Sequence, residues 1–167
     1  MRIFNPYRIL LTGTALWCMM LIAPPFVSLV ENNTHAYSRV ITQFFSPVCH
    51  QLDDRSFHLF GMKFAVCSRC SGIYFGFFLG VLFYPFRSRK NFSRTVAVWT
   101  IGIIPMLTDV ALDVFGLHES TLVTRLSTGL LFGIVASIIL TPLFLDAVTH
   151  LFHHSSTIQG ITHESKA

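Results

Sequence analysis

Apolar and polar positions come in long blocks along this chain and do not alternate residue by residue. Four apolar segments cover about residues 9–30, 71–86, 95–114 and 128–151, and a polar stretch separates each from the next. Each segment is close to the roughly 20 residues that a helix needs to cross the hydrocarbon core of a bilayer. A lone strand in lipid would leave its backbone groups unpaired, so all four are predicted as helices. The pattern predicts an all-α integral membrane bundle of four transmembrane helices.

The longest polar stretch, residues 31–70, is predicted to be a loop between the first and second helices. The first segment has a second interpretation, because Arg2 and Arg8 before an apolar run also resemble a signal peptide. The run is long and no clear cleavage site of small residues follows it, which favours a transmembrane helix. Pro24 and Pro25 are expected to kink or end that helix. Residues 1–167 then form a single transmembrane domain.

Composition supports lipid as the solvent of this chain. Hydrophobic residues make up 52% and charged residues only 12%, whereas a soluble domain carries roughly a quarter charged residues. The net charge of +4 would suit a nucleic-acid partner, but the basic residues lie beside apolar runs, which membrane topology explains better. The lipid bilayer is therefore the expected partner, and no nucleic acid is expected.

The basic residues also predict the orientation of the chain. Arg2 and Arg8 precede the first helix, and four more basic residues crowd the link between the second and third: Arg87, Arg89, Lys90 and Arg94. The positive-inside rule places these residues, and with four crossings both termini, in the cytoplasm. Whatever the orientation, four crossings put residues 31–70 and the region from Asp109 to Arg125 on the same face.

Small residues recur every four positions on two of the helices. The second carries Gly72, Gly76 and Gly80, and the fourth carries Gly129, Gly133 and Ser137. Small residues at this spacing let helix backbones approach closely in lipid. We expect the second and fourth helices to pack together, within one chain or between copies, so an oligomer through these glycine-lined faces is also considered.

Three cysteines precede the second helix, two of them as a C-x-x-C pair. Thiolate and imidazole ligands suit a zinc-like ion, which takes about four of them. We predict a metal site of Cys49, His50, Cys67 and Cys70, with zinc as its ion. His58 is the alternative fourth ligand, because adjacent side chains of an extended chain point in opposite directions, and Cys49 and His50 would need a turn to share one ion.

Two other interpretations of the cysteines stay open. Cys67 and Cys70 lie at a predicted helix N-terminus near Arg69, and both the helix dipole and the cation favour thiolate. The chain would then be a membrane thiol–disulfide oxidoreductase with Cys49 as an exchange partner. Alternatively, a structural metal or disulfide only holds the loop of a non-catalytic membrane subunit or scaffold. Cys18, within the first helix, is expected to be a packing residue.

Ionisable residues at membrane depth are costly and by default mark a function and have partners. Asp109 and Asp113 lie one helical turn apart, and Arg125 begins the last helix on the same side. One interpretation is an Asp113–Arg125 ion pair that joins two helices. The other is a catalytic set of Asp109, Asp113, Arg55, Arg69 and Arg125 beside the cysteines, with Asp109 as general acid or base. The arginines would hold the phosphate or carboxylate of a small molecule or lipid headgroup.

Several short motifs resemble a family of small, uncharacterised bacterial transmembrane proteins. The family shows C-H, E-R-S-F, P-V-C-x-R-C-T-G-I-Y and R-x-x-T-G in this order. This chain matches them at Cys49-His50, Arg55–Phe57, Val66–Tyr74 and Arg125–Gly129. The resemblance implies a bacterial inner-membrane protein and favours one functional set of Cys49, His50, Arg55, Cys67, Arg69, Cys70 and Arg125. It implies no activity.

The sequence therefore predicts a small polytopic inner-membrane protein with a Cys/His metal site at the exoplasmic mouth of the second helix. If it is an enzyme, the hypothesis is metal-assisted chemistry at the lipid interface, where the ion activates water or polarises a substrate. The sequence is compatible both with an enzyme and with a non-catalytic membrane protein.

Overall fold

A computed structural model describes residues 5–30, 35–86, 95–117 and 120–164; for residues 95–98 and 152–164 it describes the backbone alone. The basic residues predicted to set the orientation lie outside the described residues, except for Arg8. The fold is mostly helical, with helices α1 Pro6–Val30, α2 Ala36–Phe44, α3 Ser68–Leu82, α4 Thr95–Val114 and α5 Leu122–Glu164. Short 3-10 turns cover Asp53–Arg55 and Tyr84–Phe86, and a small sheet pairs β1 His58–Leu59 with β2 Met62–Lys63.

Helix α1 runs through Pro24 and Pro25 and ends at Val30, so the two prolines do not end it. Proline has no N–H, so Pro25 leaves the carbonyl of Leu21 without its usual helical donor. That carbonyl instead accepts the backbone N–H of Ala65 at 3.0 Å. The proline that weakens the helix thus ties the segment before α3 to α1.

Helix α3 begins earlier and ends earlier than the predicted span of about residues 71–86. It covers Ser68–Leu82, and Cys67 before it is extended. Pro85 cannot continue an α-helix and disfavours helical backbone at Tyr84. The chain therefore passes into the 3-10 turn Tyr84–Phe86.

Helix α5 begins at Leu122, six residues before the predicted start near residue 128, and it continues to Glu164. The Thr121 hydroxyl accepts the backbone N–H of Thr124 at 3.2 Å, which satisfies one of the unpaired donors of the first turn. The polar residues before the apolar run are thus the capped first turn of the helix and not part of a loop.

The predicted loop of residues 31–70 contains regular structure. Helix α2 packs on α1 through buried Ser38, whose hydroxyl donates to the Pro24 carbonyl at 3.1 Å. Strands β1 and β2 are joined by Phe60 and Gly61, with φ of 53° and 78°. Positive φ at both turn positions matches the right-handed twist of a tight hairpin, and glycine adopts it without steric cost.

Helices α3 and α5 pack closely along their small residues. A Cβ at Gly72 or Gly76 would collide with the carbonyl oxygens of Leu126 and Leu130, and a Cβ at Gly133 would collide with that of Ile73. Contacts advance in the same direction along both helices, which are therefore parallel. The predicted packing of these two helices is confirmed, and it occurs within one chain.

The other long helices run antiparallel to these two. The Tyr7 hydroxyl at the start of α1 donates to the Val81 carbonyl near the end of α3 at 3.2 Å. Asp113 near the end of α4 pairs with Arg125 near the start of α5. The N-termini of α3 and α5, the C-terminus of α4 and residues 35–67 thus lie at one end, which we call the cysteine end.

Among the described residues, two helices are long and apolar enough to cross a membrane. They are α1 and the Leu122–Leu151 part of α5, while Ser68–Leu82 is apolar but shorter. Many large apolar side chains on the long helices face outward, including Leu16, Met19 and Leu143. Such surfaces are costly in water and suit contact with lipid.

Candidate metal centre

Three of the four cysteines meet at the cysteine end. The sulfur atoms of Cys49, Cys67 and Cys70 all lie within 4.8 Å of one another. All are free thiols, and Cys49 is buried. Cys18 lies apart in α1, where its thiol contacts the Tyr74 carbonyl at 3.6 Å, in agreement with a packing role.

The Cys49 sulfur is held by the backbone on both sides. The backbone N–H of Cys49 donates to the Phe45 carbonyl at 3.1 Å, in the turn that follows α2. The sulfur accepts the N–H of Cys67 at 3.2 Å and that of Gln51 at 3.4 Å. Two backbone donors thus fix the position of this sulfur beside the start of α3.

Cys67 and Cys70 are placed by the first turn of α3, where Cys67 is the N-cap residue. Hydrogen bonds from the thiols of Cys49 and Cys70 lower the pKa of the Cys67 thiol well below its usual value of 9.0. The unpaired N–H groups of the helix start add positive potential at the same place. The arrangement therefore favours the thiolate form of Cys67.

Gln51 organises this centre and was not singled out from the sequence. Its side-chain amide donates to the carbonyls of Thr42 at 2.5 Å and Ala65 at 2.7 Å. It thereby joins the end of α2 to the segment before Cys67. No periodicity or spacing marks such a residue, because its role depends on two carbonyls distant in sequence.

Neither predicted histidine joins the three sulfurs. His50 is exposed, and no histidine or carboxylate of the described residues belongs to the sulfur group. His58 lies in β1, where one ring nitrogen is 3.1 Å from the Ser56 carbonyl and the other 3.3 Å from Asp53. The structure thus brings together three of the four predicted ligands.

The sulfurs border an apolar core that the predicted site did not include. Cys49 packs in a buried cluster with Leu21, Phe45, Ala65 and Val66, and the side chains of Trp17 and Tyr74 pack against it. The Trp17 ring lies 5.0 Å from Phe45 and 5.8 Å from Tyr74, centroid to centroid. Its buried Nε1–H has no hydrogen-bond partner among the described residues.

The predicted charged residues form two groups between helices. Arg69 of α3 pairs with Asp109 of α4. Asp113 accepts from Arg125 at 2.9 Å on one oxygen and from Arg55 at 3.3 Å on the other. The Asp113–Arg125 pair suggested by the sequence therefore forms, and Arg55 joins it from the loop.

These ion pairs are suited to joining helices. The Arg125 and Asp113 side chains are only 8% and 11% exposed, and Arg125 also donates to the Ser120 hydroxyl at 2.8 Å. Both carboxylates contact guanidinium groups that come from other segments of the chain. The geometry thus suits Asp109 and Asp113 to joining helices, and their predicted catalytic role stays a prediction.

Comparisons with known proteins point to a family of predicted membrane proteins. The profile of a family described as predicted membrane proteins, DUF2085, matches residues 49–139, which include all three clustered cysteines. No solved structure matches the chain.

Two curated relatives are described as uncharacterised proteins. One, from Methanocaldococcus jannaschii, is 32% identical over 148 residues, which cover 86% of this chain and 95% of the relative. The other, from Methanothermobacter thermautotrophicus, is 36% identical over 107 residues, or 64% of this chain and 96% of the relative. Both organisms are archaea, so these relatives do not support the bacterial source that the motifs suggested.

Proposed function

The chain belongs to the DUF2085 family of predicted membrane proteins, and from that premise we propose that it is a polytopic membrane protein that binds a soft metal ion. Zinc is the first candidate for that ion. The observation that carries the proposal is the meeting of three cysteine sulfurs within 4.8 Å at the mouth of α3. Thiolates bind zinc and other soft ions in preference to magnesium or calcium.

We propose that α3 and α4 span the membrane together with α1 and α5. Helix α4 has 20 residues, enough for a bilayer core of about 30 Å. Helix α3 has 15 residues and is continued by the turn Tyr84–Phe86. The lipid-facing surface would include the outward side chains of Ile101 and Leu107 on α4.

We further propose that both termini lie in the cytoplasm and that the cysteine end faces outward. Arg8, at the start of α1, supports this orientation through the positive-inside rule. Labelling intact cells with a membrane-impermeant maleimide tests it on single-cysteine variants. Labelling of an Asp54→Cys variant, on the exposed loop, with protection of an Asn5→Cys variant is the expected result. The reverse pattern would overturn the orientation.

Metal analysis of the purified protein tests the proposed function. About one zinc per chain is expected, with the cluster thiols becoming reactive only after a chelator removes the metal. Cys49→Ser, Cys67→Ser and Cys70→Ser should each weaken or abolish binding. Cys18→Ser is the matched control, because its thiol lies outside the cluster, and it should bind as the parent does. A Cys67–Cys70 disulfide without metal would refute the proposal.

A membrane thiol–disulfide oxidoreductase is the second candidate function. It is favoured by the lowered pKa of Cys67 and by free thiols within reach of one another. In such a protein, the Cys67 thiolate attacks a substrate disulfide, and Cys70 or Cys49 then displaces the reduced substrate thiol. Trapping of a mixed disulfide by a variant with both Cys49→Ser and Cys70→Ser, and not by Cys18→Ser, would support this candidate over the metal site.

A further inference from the structure

We infer that the ion at Cys49, Cys67 and Cys70 has an open fourth position that a small exogenous ligand occupies. This inference rests on the proposed metal site and specifies its class. Structural zinc sites are closed by four protein ligands, whereas catalytic sites have three and leave one position for water or substrate. The distinction depends on whether the protein itself supplies a fourth ligand.

The donor set in the described residues is three sulfurs. Among the described residues, no histidine or carboxylate lies close enough to these sulfurs to join the group as a fourth ligand. His50 is exposed although it follows Cys49 directly. His58 has its ring nitrogens near Ser56 and Asp53.

The backbone around His50 is held in place from both sides. Before it, the Cys49 N–H bonds to the Phe45 carbonyl at 3.1 Å. After it, Gln51 has a positive φ of 52°, and its side chain is fixed between two carbonyls. These contacts fix the backbone on both sides of His50, and its side chain lies exposed, outside the sulfur group.

The surroundings favour a small ligand with a lone pair. The wall beside the sulfurs is apolar and aromatic, built by Phe45, Trp17 and Tyr74. The Trp17 Nε1–H of this wall is buried and has no hydrogen-bond partner among the described residues. A buried donor without an acceptor costs about 1–3 kcal/mol, and a metal-bound water, hydroxide or small anion supplies that acceptor.

Cobalt substitution tests the open position without an assay of activity. Purified protein is freed of metal, loaded with Co(II) under anaerobic conditions and titrated with azide, while the visible absorption bands are recorded. A saturable change of the bands is expected for the parent and for His50→Ala alike, because the azide takes the open position. Trp17→Phe should weaken azide binding roughly fivefold, the loss of about one hydrogen bond. Trp99→Phe is its matched control, because Trp99, the other tryptophan of the chain, lies near the start of α4 and outside the cluster around Cys49, and it should bind azide as the parent does.

The outcomes separate this inference from the function it rests on. Absence of cobalt binding by the folded protein would refute the metal site and the open position together. Cobalt bound with bands that azide does not change would leave the metal site standing and refute the open position. So would a His50→Ala variant whose cobalt bands differ from those of the parent, since His50 would then be the fourth ligand.

Discussion

Replacing Gly76 by leucine should separate α3 from α5. A Cβ at residue 76 would collide with the carbonyl oxygen of Leu130 and lie 3.0 Å from its Cα. These are backbone atoms of a continuous helix, so no side-chain rotation relieves the clash. The two helices must move apart, and the close approach at Gly72 and Gly133 is then lost as well.

The size of the effect follows from the nature of the obstacle. Overpacking of a tight interface costs about 1–3 kcal/mol when side chains can adjust. Because backbone blocks the added side chain here, we expect the upper end, about 3 kcal/mol. A loss of that size raises the unfolding equilibrium constant by more than a hundredfold.

Gly13→Leu in α1 is the matched control. No atom outside its own helix and neighbours lies within 4 Å of a Cβ built at Gly13, so the side chain extends into open space. Leucine also has a helix propensity that is better than that of glycine by somewhat less than about 1 kcal/mol. The control variant should therefore be as stable as the parent or slightly more stable.

Reversible unfolding in mixed detergent micelles, followed by helical circular dichroism, measures both variants. The expected order of stability is Gly13→Leu, parent, Gly76→Leu. If the two leucine variants differ by less than about 0.5 kcal/mol, the range of ordinary surface substitutions, the close packing of α3 on α5 does not stabilise this protein.

Three further predictions concern the charges and the thiols. Asp113→Asn leaves buried Arg125 without its countercharge and should lower the free energy of unfolding by about 3 kcal/mol, whereas Asp54→Asn, at an exposed position, should change it little. Equal effects of the two variants in the same unfolding assay would contradict a stabilising buried pair. Gln51→Ala removes two hydrogen bonds near Cys49 and should lower the free energy of unfolding by about 1–3 kcal/mol. It should also weaken zinc binding, measured by competition with a chelator, and an unchanged zinc affinity would show that Gln51 does not organise the site. In the metal-free protein the pKa of Cys67 is lowered, so below pH 9.0 the unfolded state binds more protons than the folded state, and the free energy of unfolding should fall as the pH decreases from 9.0 toward the lowered pKa. Cys49→Ser removes the first cause of the lowered pKa and should make this pH dependence less steep. An equally steep profile in that variant would contradict the role of Cys49.

Much of the helical order follows from the composition of local segments. The apolar blocks place α1, α4 and most of α5 close to their observed positions, because an uninterrupted apolar run in lipid can satisfy its backbone only as a helix. The errors lie at the ends. Polar Ser68 and Thr121 belong to helix starts, and Pro85 ends α3 before the apolar residues run out.

The regular structure within residues 31–70 depends on contacts with distant parts of the chain, which a local sequence pattern does not reveal. Helix α2 is only 9 residues long, which is marginal for an isolated helix. It is held on α1 by contacts such as that of the Ser38 hydroxyl with the Pro24 carbonyl. An isolated short segment of this composition is equally compatible with a loop, so its helix could be recognised only in its packed environment.

The sequence by itself determined the chemistry available at this site and the pairing of its helices. A C-x-x-C before an apolar run puts Cys67 and Cys70 at a helix start, and glycines every four residues predict close contact of α3 with α5. The tertiary structure decided which residues meet there. It brings Cys49 to the pair through the Gln51 amide and the Cys67 N–H, and it leaves adjacent His50 in solvent. Proximity along the chain favours contact only when the backbone turns to allow it, and that turn is set by hydrogen bonds to residues far away in the sequence.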